Sequence, residues 1–425
     1  MEWYDFAKKI IRKLTECDLF IDVEIYYIDT HKYEKYEYNF MSNQVEDGHE
    51  NSIAIRAKNE DGKIFFHSTQ DISDRGVNII IDKFYSDIYC ASREFWNSPS
   101  HCNFIQVQTF DTGIKDQTFE EKFARIHKTF YYYIDSIDIK NIFIKYSQVL
   151  GKTAIMTMNG FNNTYEWSRY QLTFSVVGVN EREYHNSIFS RKYSDVDLDS
   201  ISEDILIFLT AEELKRGEKI KVNRVFFTSF SAAQLLTEIS IAETYFSEIP
   251  INAKIANSNL NIEDNGLIDM CIGSRPFDDA GFIQARRGII EKGIYKGCIY
   301  NKFYNVEDVN VSRDSYKDYP KPSASNFIIV PSVTEIKKFM LNSITIYEIE
   351  DIQFISDESL ILKGVKYIYV NSLNNKYYGK KNLTLSISKL LQCFRNAGNN
   401  LTFHSSTTGA PTLEFSSELF DDWEE

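Results

Sequence analysis

Residues 272–297 read IGSRPFDDAGFIQARRGIIEKGIYKG, and the reading of the whole chain turns on them. Gly273-Ser274-Arg275-Pro276 comes nearest to a nucleophile elbow, G-x-S-x-G, but lacks the second glycine. Asp278-Asp279 is a paired carboxylate of the kind acid–base chemistry uses. Neighbours on an extended segment point to opposite faces, so these two do not readily share a proton. The plainer role is a turn in which Asp278 or Asp279 accepts local backbone N–H groups.

Outward from this stretch, VNRVFFTS (222–229) reads as a strand entering a helix at SAAQLLTEISIAETYF (231–246). Beyond residue 250 short strands and turns follow to about 385. A helix over 386–398 then ends at a C-cap glycine, Gly398, and Gly409 and Pro411 introduce a last short strand. Toward the N-terminus, Phe6, Ile10, Ile11 and Leu14 recur at helical spacing over 3–16. Aromatic and β-branched residues from Leu19 to Phe40 predict two long strands. Asp61-Gly62 marks a hairpin within 52–68, and Asp71 or Ser73 caps a helix running to about Phe95. A helix over 119–134, strands at 141–149, 152–158 and 167–179, and a helix over 200–215 complete this half. The expectation is an α+β protein, with an N-terminal mixed α/β domain over 1–220 and a strand-rich C-terminal domain over 221–425.

Composition narrows the function. The formal net charge of −14, without a long basic run, opposes binding to nucleic acid. No apolar stretch approaches the roughly 20 residues that span a bilayer, and the opening MEWYDFAKKIIRKL has no apolar signal core. The cysteines, Cys17, Cys90, Cys102, Cys271, Cys298 and Cys393, form no C-x-x-C pair. We place the chain in the cytoplasm, without nucleic-acid or membrane partners. No phosphate-binding glycine string occurs. Of the histidines, no two lie at helical spacing on one face; His49-Glu50 reads as loop beside Gly48, and the others as isolated residues.

Residues 272–297 resemble the TldD/PmbA family, also called modulators of DNA gyrase. Its members carry G-S-x-P-F-D-D-E-G, then T-x-R, then an apolar run with E-x-G. Here these are Gly273, Ser274, Pro276, Phe277, Asp278, Asp279 and Gly281, then Arg287, Glu291, Gly293 and Gly297, with Ala280 where Glu is usual. NSIAIRAKNEDGKIFFHSTQDIS is similar to the family's N-terminal hairpin. YPKPSASNFIIVPS (319–332) matches its Pro/Ser-rich segment at Asn326 and Pro331, and the C-terminal GAPTLEF at Gly409 and Pro411. The acidic ending ELFDDWEE departs from the family's usual terminal strand.

The family includes zinc peptidase subunits with an H-E-x-x-x-H helix and a Cys ligand, and TldE-type partners that lack the metal site. In this chain the histidine positions fall on Thr237 and Ala242, with Glu238 retained between them; Cys393 falls near the Cys ligand, inside an apolar run. Thr and Ala cannot replace imidazole as zinc ligands. The resemblance implies a catalytically silent, metal-free subunit of a heterodimer with a TldD-like subunit that holds the zinc. The pair would trim or degrade unstructured peptides, including leader peptides of ribosomally made natural products. Arg275, Arg286 and Arg287 would hold peptide carboxylates or carbonyls, or else pair with Asp278 and Asp279. The rival readings are a stand-alone hydrolase with a relocated site and a homodimeric peptide-binding scaffold.

Overall fold

Alternating residues along Asp22–Tyr38 bury one face on helices and present the other across the molecule, and in the computed structural model they form one unbroken strand, not two. The structure describes residues 1–16, 18–39, 41–86, 92–93, 98–99, 105–135, 137–215, 220–240, 243–297 and 310–420. Cys17, Cys90, Cys102, Cys298 and the last residues of the acidic ending lie outside them.

Asp22–Tyr38 pairs antiparallel with Met41–Lys58 on one side and Ile139–Thr157 on the other. Ile139–Thr157 is also continuous where two strands were expected: Gly151 in its middle stays in the ladder, opposite Thr30 and Trp167. Asn162–Gly178 and Glu183–Ser190 follow in antiparallel order. The hairpin at Asp61-Gly62 turns as read, with Gly62 at φ +75°.

Phe403 then pairs with Phe189. This single bridge joins the N-terminal strands to strands drawn from 262–410, so one sheet of thirteen strands crosses residue 220. A second sheet, of eight strands, contains Arg224–Phe227, Ser343–Glu348, Ser359–Val370 and Lys376–Ser386. The chain passes from the first sheet (Thr408–Ala410) to the second (Leu413–Ser416) at buried Pro411, which has no N–H to owe either ladder. The helix Ser229–Ser240 touches strands of both sheets.

Three large apolar cores among the described residues follow from this layering, beside two small clusters. Helices Trp3–Thr15 and Asp74–Ser86 cover one part of the large sheet through Phe6, Ile10, Val77 and Phe84. Phe119–Ile134 and Leu198–Thr210 cover another, with Tyr347, Ile368 and Tyr378 contributed from the second sheet. The third lies wholly within 220–420 and takes Leu235, Leu236 and Ile239 from the helix Ser229–Ser240.

The helix expected over 386–398 stops at Cys393. Phe394–Ala397 is a strand paired with Leu413–Phe415, so Gly398 caps no helix. Of the helix expected over 231–246, the described residues are helical over Ser229–Ser240 and Glu243–Ser247. No helix among the described residues is long and apolar enough to cross a membrane.

Candidate functional site

The motif segment 273–279 folds into a buried polar knot where the two halves of the chain meet. Gly273 donates its N–H to the Asn326 side-chain oxygen at 2.8 Å, and the Asn326 amide donates to the Asn265 carbonyl (2.6 Å) and Ser274 Oγ (2.8 Å). Ser274 Oγ donates to the Ile268 carbonyl. A Cβ on Gly273 would stand 1.9 Å from the Ser325 carbonyl oxygen, so only glycine fits. Pro276 is partly buried beside this turn, and Phe277 packs edge-on against Phe161 and Tyr165.

Asp278 and Asp279 divide the work between them. Asp278 accepts backbone N–H groups from Ala280 (3.0 Å), Phe282 (2.9 Å) and Val311 (3.1 Å). Burial nevertheless pushes its pKa up to about 6, with Arg275 and the N–H donors opposing the shift. Asp279 binds Arg275 Nη1 at 2.9 Å and accepts the Arg313 N–H at 2.8 Å. Arg313 reaches Glu24 at 3.1 Å, and Glu24 also holds Arg56 at 2.6 Å. Glu24, Arg56 and Arg313 did not stand out in the sequence, since they lie on three segments far apart in the chain. Ala280, where the family has Glu, is fully buried. Every carboxylate oxygen here already has a donor, so the knot is structural.

The other arginines of the motif also find carboxylates, but not the Asp pair. Arg286 binds Glu263 (2.6 Å) and Glu291 (3.1 Å). Arg287 faces Asp264 at 3.9 Å; Asp264 is buried, its pKa raised by desolvation, and it accepts the Ser325 N–H and the Asn310 amide. Gly409 pairs in the ladder with Ile328 and Phe403, and a Cβ there would press on the Phe403 ring at 2.9 Å.

Above the knot lies a cleft of about 540 Å³. Its floor is one face of the large sheet, and period-2 alternation sets which side chains reach it. Tyr26, Ile28, Thr30 and Lys32 come from one strand, Tyr165, Trp167 and Arg169 from another, while Arg191, Arg275 and Arg313 close the sides. Trp167 lies flat because its cross-strand neighbour is glycine: a Cβ on Gly151 would come within 2.2 Å of the indole. The indole N–H donates to Thr153 Oγ1 at 3.1 Å.

The helix Ser229–Ser240 carries Thr237 and Glu238, two of the residues that the sequence resemblance aligned with a zinc-binding helix. Thr237 is exposed, and its hydroxyl bonds back to the Ala233 carbonyl at 2.9 Å. Glu238 is partly buried, its pKa raised by desolvation and then by Asp351. Ala242 lies outside the described residues. Cys393 packs against the C-terminal core. These residue types do not fit a catalytic zinc.

Among the described residues, one set of three side chains could converge on a metal: Asp29, His31 and His49. His49 is therefore not in a loop. It sits in a strand directly opposite His31, the rings stacked at 4.1 Å, with His49 Nε2 2.7 Å from Asp29. The sequence hid this pair because register across a hairpin, not spacing, brings them together. The cluster projects from the opposite sheet face to the cleft-lining Thr30 and Lys32.

Comparison with known proteins agrees with this architecture. The chain is similar in structure to a Thermotoga maritima protein described as a modulator of DNA gyrase (15% identity, TM-score 0.78, covering 98% of this chain and 99% of that one). A Bacteroides thetaiotaomicron protein of the same description gives 14% identity and a TM-score of 0.75, with 97% of each chain covered. TldE from Thermococcus kodakarensis gives 13% and 0.77, covering 97% of this chain and 98% of that one. The chain thus has the fold of the gyrase modulators and of TldE. Residues 221–417 match the family model of the PmbA/TldA metallopeptidase C-terminal domain. Through them the C-terminal part of the chain is similar to that family's C-terminal domain. No curated protein matches it.

Proposed function

We propose that this chain is the non-catalytic, TldE-like subunit of a heteromeric zinc peptidase acting on unstructured peptides in the cytoplasm, leader peptides of ribosomally made natural products among them. The carrying observation is Thr237, a hydroxyl turned back onto its own helix where catalytic members have an imidazole. With Ala242 at the second position, the zinc belongs to a TldD-like partner. This subunit's contribution is then the cleft, which is wide enough for an extended segment. The chain and a TldD-like homologue with an intact H-E-x-x-x-H helix should co-purify, and only the pair should cleave an unstructured peptide. Cleavage by the chain alone, with stoichiometric zinc, would overturn the reading. His31→Ala/His49→Ala protein should be used for the zinc count, so that the surface cluster does not contribute.

One observation favours a stand-alone hydrolase. His404 Nδ1 must donate to the Ser187 carbonyl (2.8 Å), so Nε2 accepts the Ser229 hydroxyl at 3.0 Å. Burial pulls the His404 pKa down to about 4, which makes it a weak base. Hydrolysis by the chain alone that Ser229→Ala abolishes would restore this rival.

A further inference from the structure

All three motif arginines face carboxylates, whereas two arginines of the cleft do not. Arg191 is only 6% exposed, and its guanidinium is held by three neutral acceptors: the carbonyls of Cys271 (3.1 Å), Ser168 (3.1 Å) and Ser274 (2.9 Å). Arg169 is partly buried and has no hydrogen-bond or ion-pair partner among the described residues. The nearest carboxylate acting on it, Glu34, already holds Lys32 at 2.7 Å and Lys145 at 2.9 Å. The two guanidiniums flank one ring, at 6.0 Å and 5.9 Å from the Trp167 centroid.

The remaining charges do not cancel this pair. Arg275 is matched by Asp279, and Arg313 by Glu24. Asp314 is held by Lys321, and Glu50, opposite Thr30, accepts from Ser52. Desolvation lowers the pKa of both guanidiniums, with Glu34 opposing it at Arg169; at Arg191 desolvation comes first and repulsion from Arg169 and Arg275 adds to it, to about 10. Buried charge without a counter-charge is unfavourable, so it marks a place for an anion. Guanidinium is the side chain best suited to take a carboxylate in two parallel bonds.

We propose that the cleft anchors an extended peptide by a carboxylate held between Arg169 and Arg191, with Trp167 packing the adjoining side chain. The apolar floor of Tyr26, Ile28 and Trp167 suits a peptide rather than a small inorganic anion, and the net charge of −14 disfavours nucleic acid. This deepens the subunit reading by naming what the peptide must carry; the carboxylate comes from the chain end or from an acidic side chain.

The test is fluorescence anisotropy on the full chain with three labelled pentapeptides. They are Ala-Ala-Phe-Ala-Ala as free acid, the same as amide, and the amide with glutamate in the last position. At least one carboxylate peptide should bind about tenfold more tightly than the neutral amide, and which one does identifies the source. Arg169→Gln should reduce that preference to under about threefold while its melting temperature holds or rises, because an unpaired buried charge has been removed. Arg169→Lys, which keeps the charge but not the fork, should fall between and serves if the glutamine variant does not fold. Equal binding of all three peptides, a preference that survives Arg169→Gln, or no binding at all overturns the proposal. None of these outcomes touches co-purification with a TldD-like partner, so the subunit reading stands or falls separately.

Discussion

The knot at 273–279 and the helix Ser229–Ser240 are both places where the family signature falls, and they have kept different things. In the knot the polar signature residues are bonded to one another or to their neighbours: Gly273 to Asn326, Asn326 to Ser274, Asp279 to Arg275. In the helix the buried side, Leu235, Leu236 and Ile239, is retained as core, while the metal-bearing position holds Thr237 and faces solvent. Groups that bond each other are hard to lose singly, because each loss strands a buried partner.

Mutations can break that comparison, and the largest effects should lie in the knot. Asn326→Ala removes the side-chain partner of the Gly273 N–H and of the Asn265 carbonyl and one of the two bonds of Ser274 Oγ, and should cost on the order of 3 kcal/mol in urea unfolding. A variant within about 0.5 kcal/mol of the parent would show that the Asn326 bonds contribute little to stability. Asp278→Asn should cost about 1–3 kcal/mol, since its amide nitrogen must face one of three N–H donors.

The pH dependence sharpens the contrast between two buried groups. Asp278 is raised from 3.8 to about 6, so the native state keeps a proton that the unfolded chain has lost, and its contribution falls as pH rises through that window. His404 is lowered from 6.5 to about 4, so the unfolded chain binds more protons, and its contribution falls as pH drops from 6.5 toward 4. The two oppose each other between about pH 4 and 6. Denaturation midpoints across this range should rise more steeply with pH in Asp278→Asn and less steeply in His404→Gln. Parallel profiles for both variants and the parent would contradict the assigned shifts. The smallest effect belongs to the helix: Thr237→Ala should alter stability by no more than about 0.5 kcal/mol, measured by thermal melting.

Local chemistry was legible wherever it acts over a few residues. The hairpin at Asp61-Gly62, the helix over Phe119–Ile134 and the turn role of Asp278 all follow from short-range rules. The helix Phe119–Ile134 even carries a reciprocal cap between Thr118 and Glu121. Element ends were less legible. Phe394–Ala397 continues a helical pattern in sequence, yet pairs as a strand with Leu413–Phe415, because completing a sheet edge outweighs local propensity. Gly151 resembles a strand break, but the flat Trp167 ring occupies the space its side chain would need.

By itself the sequence determined the α+β class and the absence of imidazole at position 237, because residue type alone decides whether a side chain can ligate zinc. Only the tertiary structure decided which charges are matched. Arg275 and Arg169 look alike in a string of letters, but one meets Asp279 and the other pairs with no carboxylate among the described residues. Sheet order and register bring residues more than a hundred positions apart into contact, and neither can be read from spacing along the chain.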